Sequence, residues 1–317
     1  MATPQCIGCP ALQRLLGATS LKVFLKHYWE QKHLLVSGNG FQSYDDLLPL
    51  IEFEAFLTRN DVRFPAVQIV KDGQNVALNS YARELRIGSY VSDGLIDMDL
   101  VAEAYRQKGT VVAQLLQNSF PSLAEFAQEL SSFILGKVDV HAFLTPSNAQ
   151  GLSAHYDTAS AFLIQLRGAK RWRLYEMQIE APTSEQTFSD SIPVRGEPIA
   201  DITLTPGDVL YIPRGLPHSG LTFDKESLHL TVVLFPKSWI DIFSSLLEEC
   251  QKEEDFRKAP FEFTLFGETN VKTAKQWRTL VERFLASGIE SGIPQKARVS
   301  QIISPASRRS RWHGTLK

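Results

Sequence analysis

The chain has 317 residues, of which 44% are hydrophobic and 21% charged, a balance that excludes a disordered or collagen-like polymer and gives room for two compact units or one with an appendage. Lys and Arg number 33 against 35 Asp and Glu, a net charge of −2, so no global field of either sign calls for a nucleic acid or an anionic membrane. Three cysteines, with Cys250 far from Cys6 and Cys9, exclude a disulfide framework and point to the reducing cytoplasm.

No run approaches the ~18 apolar residues of a membrane span, and Met1 to Pro10 lacks the basic start and apolar stretch of a signal peptide. From Ser20 to Gln31 apolar Leu21, Phe24, Leu25 and Tyr28 recur at helical spacing behind a capping serine. A second helix is expected over Tyr44 to Leu57. Alternation on both sides of Asp72-Gly73 predicts a hairpin, because glycine tolerates the positive φ of a tight turn. A further helix is expected from Pro121 to Leu135, stopped by Gly136.

After Gly136 the texture changes to short β runs: VDVHAFLT, ASAFLIQL, KRWRLYE, DITLT, GDVLYIP and LHLTVVLF. Turn signals at Gly168, Pro206-Gly207 and Arg214-Gly215 predict an antiparallel barrel or sandwich rather than βαβ units. The polar insertion from Glu176 to Ala200 is long for such a connection and reads as a functional rim loop. Helical patterning returns over Ser238 to Phe256 and Val271 to Ala286, where Trp239, Ile240, Phe243, Leu246 and Leu247 make an apolar face expected to be covered. From Gly292 to Lys317 acids vanish and six cations accumulate, as in a flexible basic tail.

The stretch GLSAHYDTASAFLIQLRGAKRWRLYE carries the chemistry. His155 and Asp157 are two apart, so on an extended strand both point to one face, and both are ligands for a borderline metal. His218, in GDVLYIPRGLPHSG, follows a strand and a tight turn that bring it opposite the pair. Two histidines and one carboxylate make the facial triad of non-haem Fe(II) oxygenases, which leaves three coordination positions open. An isolated H-x-D is more often a pair of polar surface residues. Lys170, on the strand expected to return after the Gly168 turn, would add a cation inside a barrel; its bland reading is a solvated hairpin lysine, as for Arg171 and Arg173.

The segments FLKHYWEQKHLLV, HAFLTPSNAQGLSAHYD, AFLIQLRGAKRWRLYE and LTPGDVLYIPRGLPHSG resemble the JmjC-type, cupin-like ribosomal oxygenases, Fe(II)- and 2-oxoglutarate-dependent protein hydroxylases, from about Ser20 to Pro236. The resemblance implies a mainly β fold with helices, a double-stranded β-helix (cupin/JmjC) barrel carrying N-terminal helices and a C-terminal helical appendage. It further implies iron held by His155, Asp157 and His218, with 2-oxoglutarate anchored through Lys170 and O₂ as second co-substrate. The substrate class it implies is a protein or peptide, ribosomal in known members, hydroxylated on a His or Arg side chain.

Two departures accompany the resemblance. Family members commonly carry Asn and Tyr where this chain has His141 and Phe143, the latter position being one that helps bind the co-substrate. Phe143 has no hydroxyl to donate. Larger members also carry a helical dimerisation region followed by a winged helix, and a full winged helix in addition to the helices is not expected in the 81 residues from 237 to 317. The expected organisation is a catalytic domain over 1–236, a helical appendage over 237–291 through which a homodimer would form, and a basic tail over 292–317. Two alternatives stay open: the same chemistry on a peptide natural product or small molecule, and a metal-binding cupin without oxygenase activity, which has no need for Lys170.

Of the remaining candidates, Cys6 and Cys9 make only half a tetrahedral site. His229 approaches the pocket or merely sits in the barrel wall. His141 shares a strand face with Phe143 and lines the pocket on the functional reading. His27 and His33 read as surface residues, and the basic tail lacks the aromatic interleaving of a single-strand nucleic-acid binder.

Overall fold

A computed structural model describes residues 8–38, 43–189 and 194–258, together with 278, 279 and 282. Two short helices open it, α1 (Pro10–Leu16) and α2 (Leu21–His27). Ser20 caps α2 as its sequence predicts, the hydroxyl accepting the Val23 N–H at 3.3 Å. The helix stops at His27, short of Gln31, and Phe24 is its one fully buried face residue.

Strand β1 (Leu34–Val36) precedes α3 (Leu50–Leu57). The helix expected from Tyr44 thus begins six residues later. Pro49 disfavours helical backbone in the residue before it, so Tyr44 to Leu48 remain turns while Tyr44, Leu47 and Leu48 still bury their side chains.

The hairpin of β2 (Val67–Lys71) and β3 (Gln74–Asn75) forms around Asp72 and Gly73, whose φ angles of 50° and 84° are both positive, as the tight two-residue turn requires. Three elements absent from the sequence reading follow: the separate hairpin of β4 (Ala82–Ile87) and β5 (Tyr90–Ile96), helix α4 (Met98–Arg106) capped by the Asp97 carboxylate, and β6 (Thr110–Ala113). Helix α5 (Pro121–Ile134) matches its prediction closely and buries Leu123, Phe126 and Leu130.

The remaining strands are β7 (Lys137–Thr145), β8 (Ser160–Gly168), β9 (Lys170–Leu174), β10 (Ala200–Leu204), β11 (Val209–Ile212), β12 (His218–Leu221) and β13 (Ser227–Phe235). They do not close into one ring. An eight-stranded sheet runs β1-β11-β8-β13-β7-β6-β2-β3 and a three-stranded sheet runs β10-β9-β12; β1-β11, β11-β8, β8-β13, β7-β6, β6-β2, β2-β3, β10-β9 and β9-β12 pair antiparallel. From β8 onward the chain therefore visits the large sheet, the small sheet twice, the large, the small and the large again, which is the winding of a double-stranded β-helix, or jelly roll.

Between the sheets lies a core of Leu163, Leu174, Leu204, Leu210, Ile212 and Leu216 packed on Trp172. Burial of each such side chain contributes about 1.5–3 kcal/mol before conformational entropy is counted. The apolar interior occupies one part of the space between the sheets and leaves a cavity in the rest.

By internal packing the chain divides into two compact units, Met1–Phe133 with Val138–Phe235, and Ile134–Lys137 with Pro236–Lys317. In the second, α6 (Trp239–Cys250) opens on a capping box of Ser238 and Asp241 and is followed by α7 (Glu254–Arg257). Of the apolar face expected to be covered, Leu246 is buried, whereas Trp239, Ile240, Phe243 and Leu247 are exposed. The helix expected over Val271 to Ala286, apart from 278, 279 and 282, and the basic tail lie outside the described residues. Among those described, no helix is long and apolar enough to cross a membrane.

Candidate active site

His155 and Asp157 are not on a regular strand. They lie in the irregular segment before β8, and the face-sharing expected from strand alternation arises differently: His155 forms an isolated antiparallel bridge with His218, the first residue of β12. Its N–H donates to the His218 carbonyl at 3.1 Å and its carbonyl accepts the His218 N–H at 2.8 Å. The imidazole rings stand 4.8 Å apart between centroids.

Asp157 reaches both rings, Oδ1 at 3.6 Å from His155 Nε2 and Oδ2 at 3.7 Å from His218 Nε2. Its own backbone carbonyl accepts the Gly215 N–H at 2.9 Å, which ties it to the Pro213-Arg214-Gly215 turn ahead of His218. Arg214 braces that turn, with its guanidinium 2.5 Å from Glu30 and donating to the Pro182 carbonyl at 3.2 Å.

The tautomers follow from what the other ring nitrogens touch. His155 Nδ1 is 2.7 Å from the Ser153 carbonyl and His218 Nδ1 is 3.1 Å from the Leu216 carbonyl. A carbonyl can only accept, so each Nδ1 carries a proton, and in the neutral form of either ring Nε2 is the nitrogen with the lone pair. Burial, with the neighbouring His155 second, pushes the His218 pKa down to about 4, so that ring is neutral. The three ligand atoms lie within 4.8 Å of one another. Two imidazoles oriented by backbone carbonyls and one half-exposed carboxylate fit a divalent transition metal with positions left open to ligand.

Lys170 points inward as expected, but from a strand that pairs differently from the expected hairpin. Strand β9 does not return along β8 as a hairpin; it crosses to the small sheet and pairs with β10 and β12. The crossing requires glycine at 168, where φ is +64° and a Cβ would lie 1.7 Å from the Glu226 carbonyl oxygen. Alternation along β9 then sends Lys170, Trp172 and Leu174 inward and Arg171 and Arg173 outward to Asp201.

Lys170 is 3% exposed, and its ammonium donates to Thr145 Oγ1 at 3.0 Å. No carboxylate of the described residues pairs with it. Burial alone pushes its pKa down to about 7. A cation so placed fits an anionic ligand.

The triad and Lys170 line one cavity of about 280 Å³. His141 and Phe143 on β7 line it too, as their shared strand face predicts. His141 Nδ1 accepts the Leu115 N–H at 3.3 Å, while Phe143 stacks on His229 with centroids 5.0 Å apart and planes 7° from parallel. His229 is therefore a wall residue of the pocket, buried, with Nδ1 lacking any hydrogen-bond partner. Burial, and after it the Lys170 charge, holds its pKa well below the ordinary histidine range.

Trp172 escaped the sequence reading altogether. It lines the cavity, lies edge-on to His229 at 5.4 Å, and its indole Nε1 is buried without a partner. Its place two residues beyond Lys170 on one strand was the available signal.

At the mouth, the rim loop reaches the triad: Phe188 packs 6.4 Å from His155 and 5.4 Å from Tyr156, whose hydroxyl donates to the Gln186 carbonyl at 3.1 Å. His27 is exposed and His33 half-buried, both outside the pocket.

Residues 114–242 match the family model for the JmjC domain. Among curated relatives, the chain is 32% identical over 235 residues to the bifunctional lysine-specific demethylase and histidyl-hydroxylase NO66 of Drosophila sechellia, covering 72% of this chain and 33% of that one. It is 30% identical over 292 residues to ribosomal oxygenase 1 of Danio rerio, covering 86% of this chain and 50% of that one. The chain thus spans half or less of the length of these relatives. The Escherichia coli ribosomal oxygenase YcfD, solved with cobalt and 2-oxoglutarate, superposes with a TM-score of 0.53 at 17% identity over 91% of this chain and 68% of that one, a likeness of fold.

Proposed function

Because the chain belongs to the JmjC-type, cupin-like family of the ribosomal oxygenases, we propose that it is an Fe(II)- and 2-oxoglutarate-dependent oxygenase that hydroxylates an amino-acid side chain in a protein or peptide. The observation that carries this reading is one cavity shared by the His155, Asp157, His218 triad and a buried Lys170 amine with no carboxylate partner among the described residues. A metal-binding cupin without oxygen chemistry would leave that cation unexplained.

In this reading His155 Nε2, Asp157 and His218 Nε2 hold the iron, and Lys170 takes the distal carboxylate of 2-oxoglutarate. Bound iron supplies the activation of O₂ that couples decarboxylation of the 2-oxo acid to hydroxylation of a C–H bond. The chain's own residues bind, orient and exclude. The Ser153 and Leu216 carbonyls take the Nδ1 protons, so that in the neutral ring Nε2 is the nitrogen left to ligate. Leu163, Trp172 and Ile212 keep water from the inner wall. Tyr156 and Phe188 flank the entrance, where the loop from Glu176 to Ala200 would receive the substrate backbone.

The substrate we propose is a ribosomal protein, met in the cytoplasm. The catalytic domain would be residues 1–236, with 237–291 a helical appendage whose exposed Trp239, Ile240, Phe243 and Leu247 pair with a second copy. The test is mass spectrometry of ribosomal proteins incubated with the iron-loaded chain, O₂ and 2-oxoglutarate. A gain of one oxygen atom with matching succinate supports the assignment; neither product, from a chain that binds iron, overturns it.

A further inference from the structure

Native proteins rarely leave buried polar atoms unpartnered, and where several such atoms surround one cavity a ligand is the economical explanation. Around Lys170 there are two. Trp172 Nε1 is a donor with nothing to donate to, and His229 Nδ1 has no partner of either kind. Both residues line the cavity that holds the Lys170 ammonium, which uses one of its three protons on Thr145 and sits 5.1 Å from the Trp172 ring.

Three features show that this arrangement is built. Trp172 shares the inward face of β9 with Lys170. His229 stands where the pairing of β13 with β8 slips, Leu228 facing Arg167 but His229 facing Gln165, an irregularity of the kind that re-aims a side chain beside a site. Phe143, which has no hydroxyl to offer an anion, instead holds the His229 ring flat against its own. Glycine at 220, on β12 opposite Trp172, keeps space open: a Cβ there would lie 2.9 Å from Lys170 Cε and 3.0 Å from the Trp172 ring.

Resting on the co-substrate reading above, we propose that Trp172 Nε1 and the His229 imidazole complete with Lys170 a three-donor seat for one carboxylate, so that the pocket selects a dicarboxylic over a monocarboxylic 2-oxo acid. A carboxylate has about four lone-pair sites, so one ammonium leaves most of them bare in a cavity with apolar walls. The indole N–H and a neutral imidazole N–H supply further bonds without adding charge.

The test uses the full chain loaded with Mn(II) in the absence of O₂ and measures by calorimetry the affinities for 2-oxoglutarate and for 2-oxobutyrate, which lacks the distal carboxylate. Trp172→Phe keeps a ring and removes the donor; His229→Phe keeps the stack on Phe143 and removes both nitrogens; His229→Gln restores a donor. Each Phe variant should weaken 2-oxoglutarate about tenfold, the worth of one charge-assisted hydrogen bond. Binding of 2-oxobutyrate should stay within about twofold, and His229→Gln should recover most of the loss.

Equal losses for both acids would mean that the residues only shape the pocket, and would overturn the seat. Unchanged 2-oxoglutarate affinity in both Phe variants, with loss in Lys170→Ala, would overturn it while sparing the co-substrate reading. Unchanged affinity in Lys170→Ala as well would remove that reading too.

Discussion

His155 and His218 exchange two backbone hydrogen bonds, at 3.1 and 2.8 Å, although they stand 63 residues apart in the sequence. The main chain itself holds the two imidazoles side by side. His218→Ala leaves both bonds in place, so we expect a folded protein whose melting temperature without metal shifts by no more than about 4–5 °C, the equivalent of 1–2 kcal/mol in a chain of this size. Its affinity for Fe(II) or Co(II), followed by anaerobic titration, should fall at least ~100-fold, since even second-layer losses cost about 10–100-fold.

Lys170 trades stability for binding. Lys170→Met fills similar volume without burying an amine that no carboxylate neutralises. The variant should melt higher than the parent yet require at least ~10-fold more 2-oxoglutarate, with metal affinity retained. Lys170→Ala should show the same loss of binding without the gain in stability. Succinate release against co-substrate concentration, beside thermal unfolding, reads both.

The same lysine makes binding pH-dependent. Its folded-state pKa, about 7, lies below the ordinary 10.5 because the site is desolvated, and the groups around it are neutral His229, the Thr145 hydroxyl and aromatic rings. Between about pH 7 and 10.5 the unfolded chain holds the extra proton, so stability from this group rises with pH across that window and is lowest below pH 7. A bound carboxylate favours the ammonium and reverses the shift. Calorimetry in buffers of different ionisation enthalpy should therefore show uptake of nearly one proton per 2-oxoglutarate at about pH 8 and much less at about pH 6. Equal uptake at both values, or uptake that persists in Lys170→Met, would contradict this origin.

Gly220→Ala tests the room around the seat. Its new methyl would press on Lys170 Cε and the Trp172 ring. We expect destabilisation of about 1–3 kcal/mol, as for overpacked interiors, with weaker 2-oxoglutarate binding and an intact metal site. Denaturant unfolding and Mn(II) titration separate the two effects.

The exposed face of α6 should hold a dimer together. Trp239→Glu with Phe243→Glu places two charges on that face and should shift the mass measured by light scattering at micromolar concentration from two chains to one. A parent that is already monomeric would remove the dimer from the account.

The sequence carried the fold wherever a local signal was strong: the serine cap of α2, the Asp72-Gly73 turn and the periodicity of α5. It failed where tertiary structure decides. Nothing local tells β9 to leave β8 for the other sheet, and the composition that suits a hairpin at Gly168 suits a crossing equally well. Residue type and spacing carry the resemblance that makes the triad and Lys170 candidates, whereas the placing of His155 beside His218 comes from a bridge to β12 and not from an extended strand. Trp172 and His229 were harder, since an unpartnered nitrogen is a property of surroundings that only packing reveals.

The alternation of successive strands between two sheets has a bearing on biosynthesis. A nascent chain that has emerged as far as Gly168 already displays His155 and Asp157, but their partner lies 50 residues further on, and the bridge that fixes His155 needs the main chain of β12. If the triad holds iron as proposed, a complete set of three ligands forms only once both layers have met.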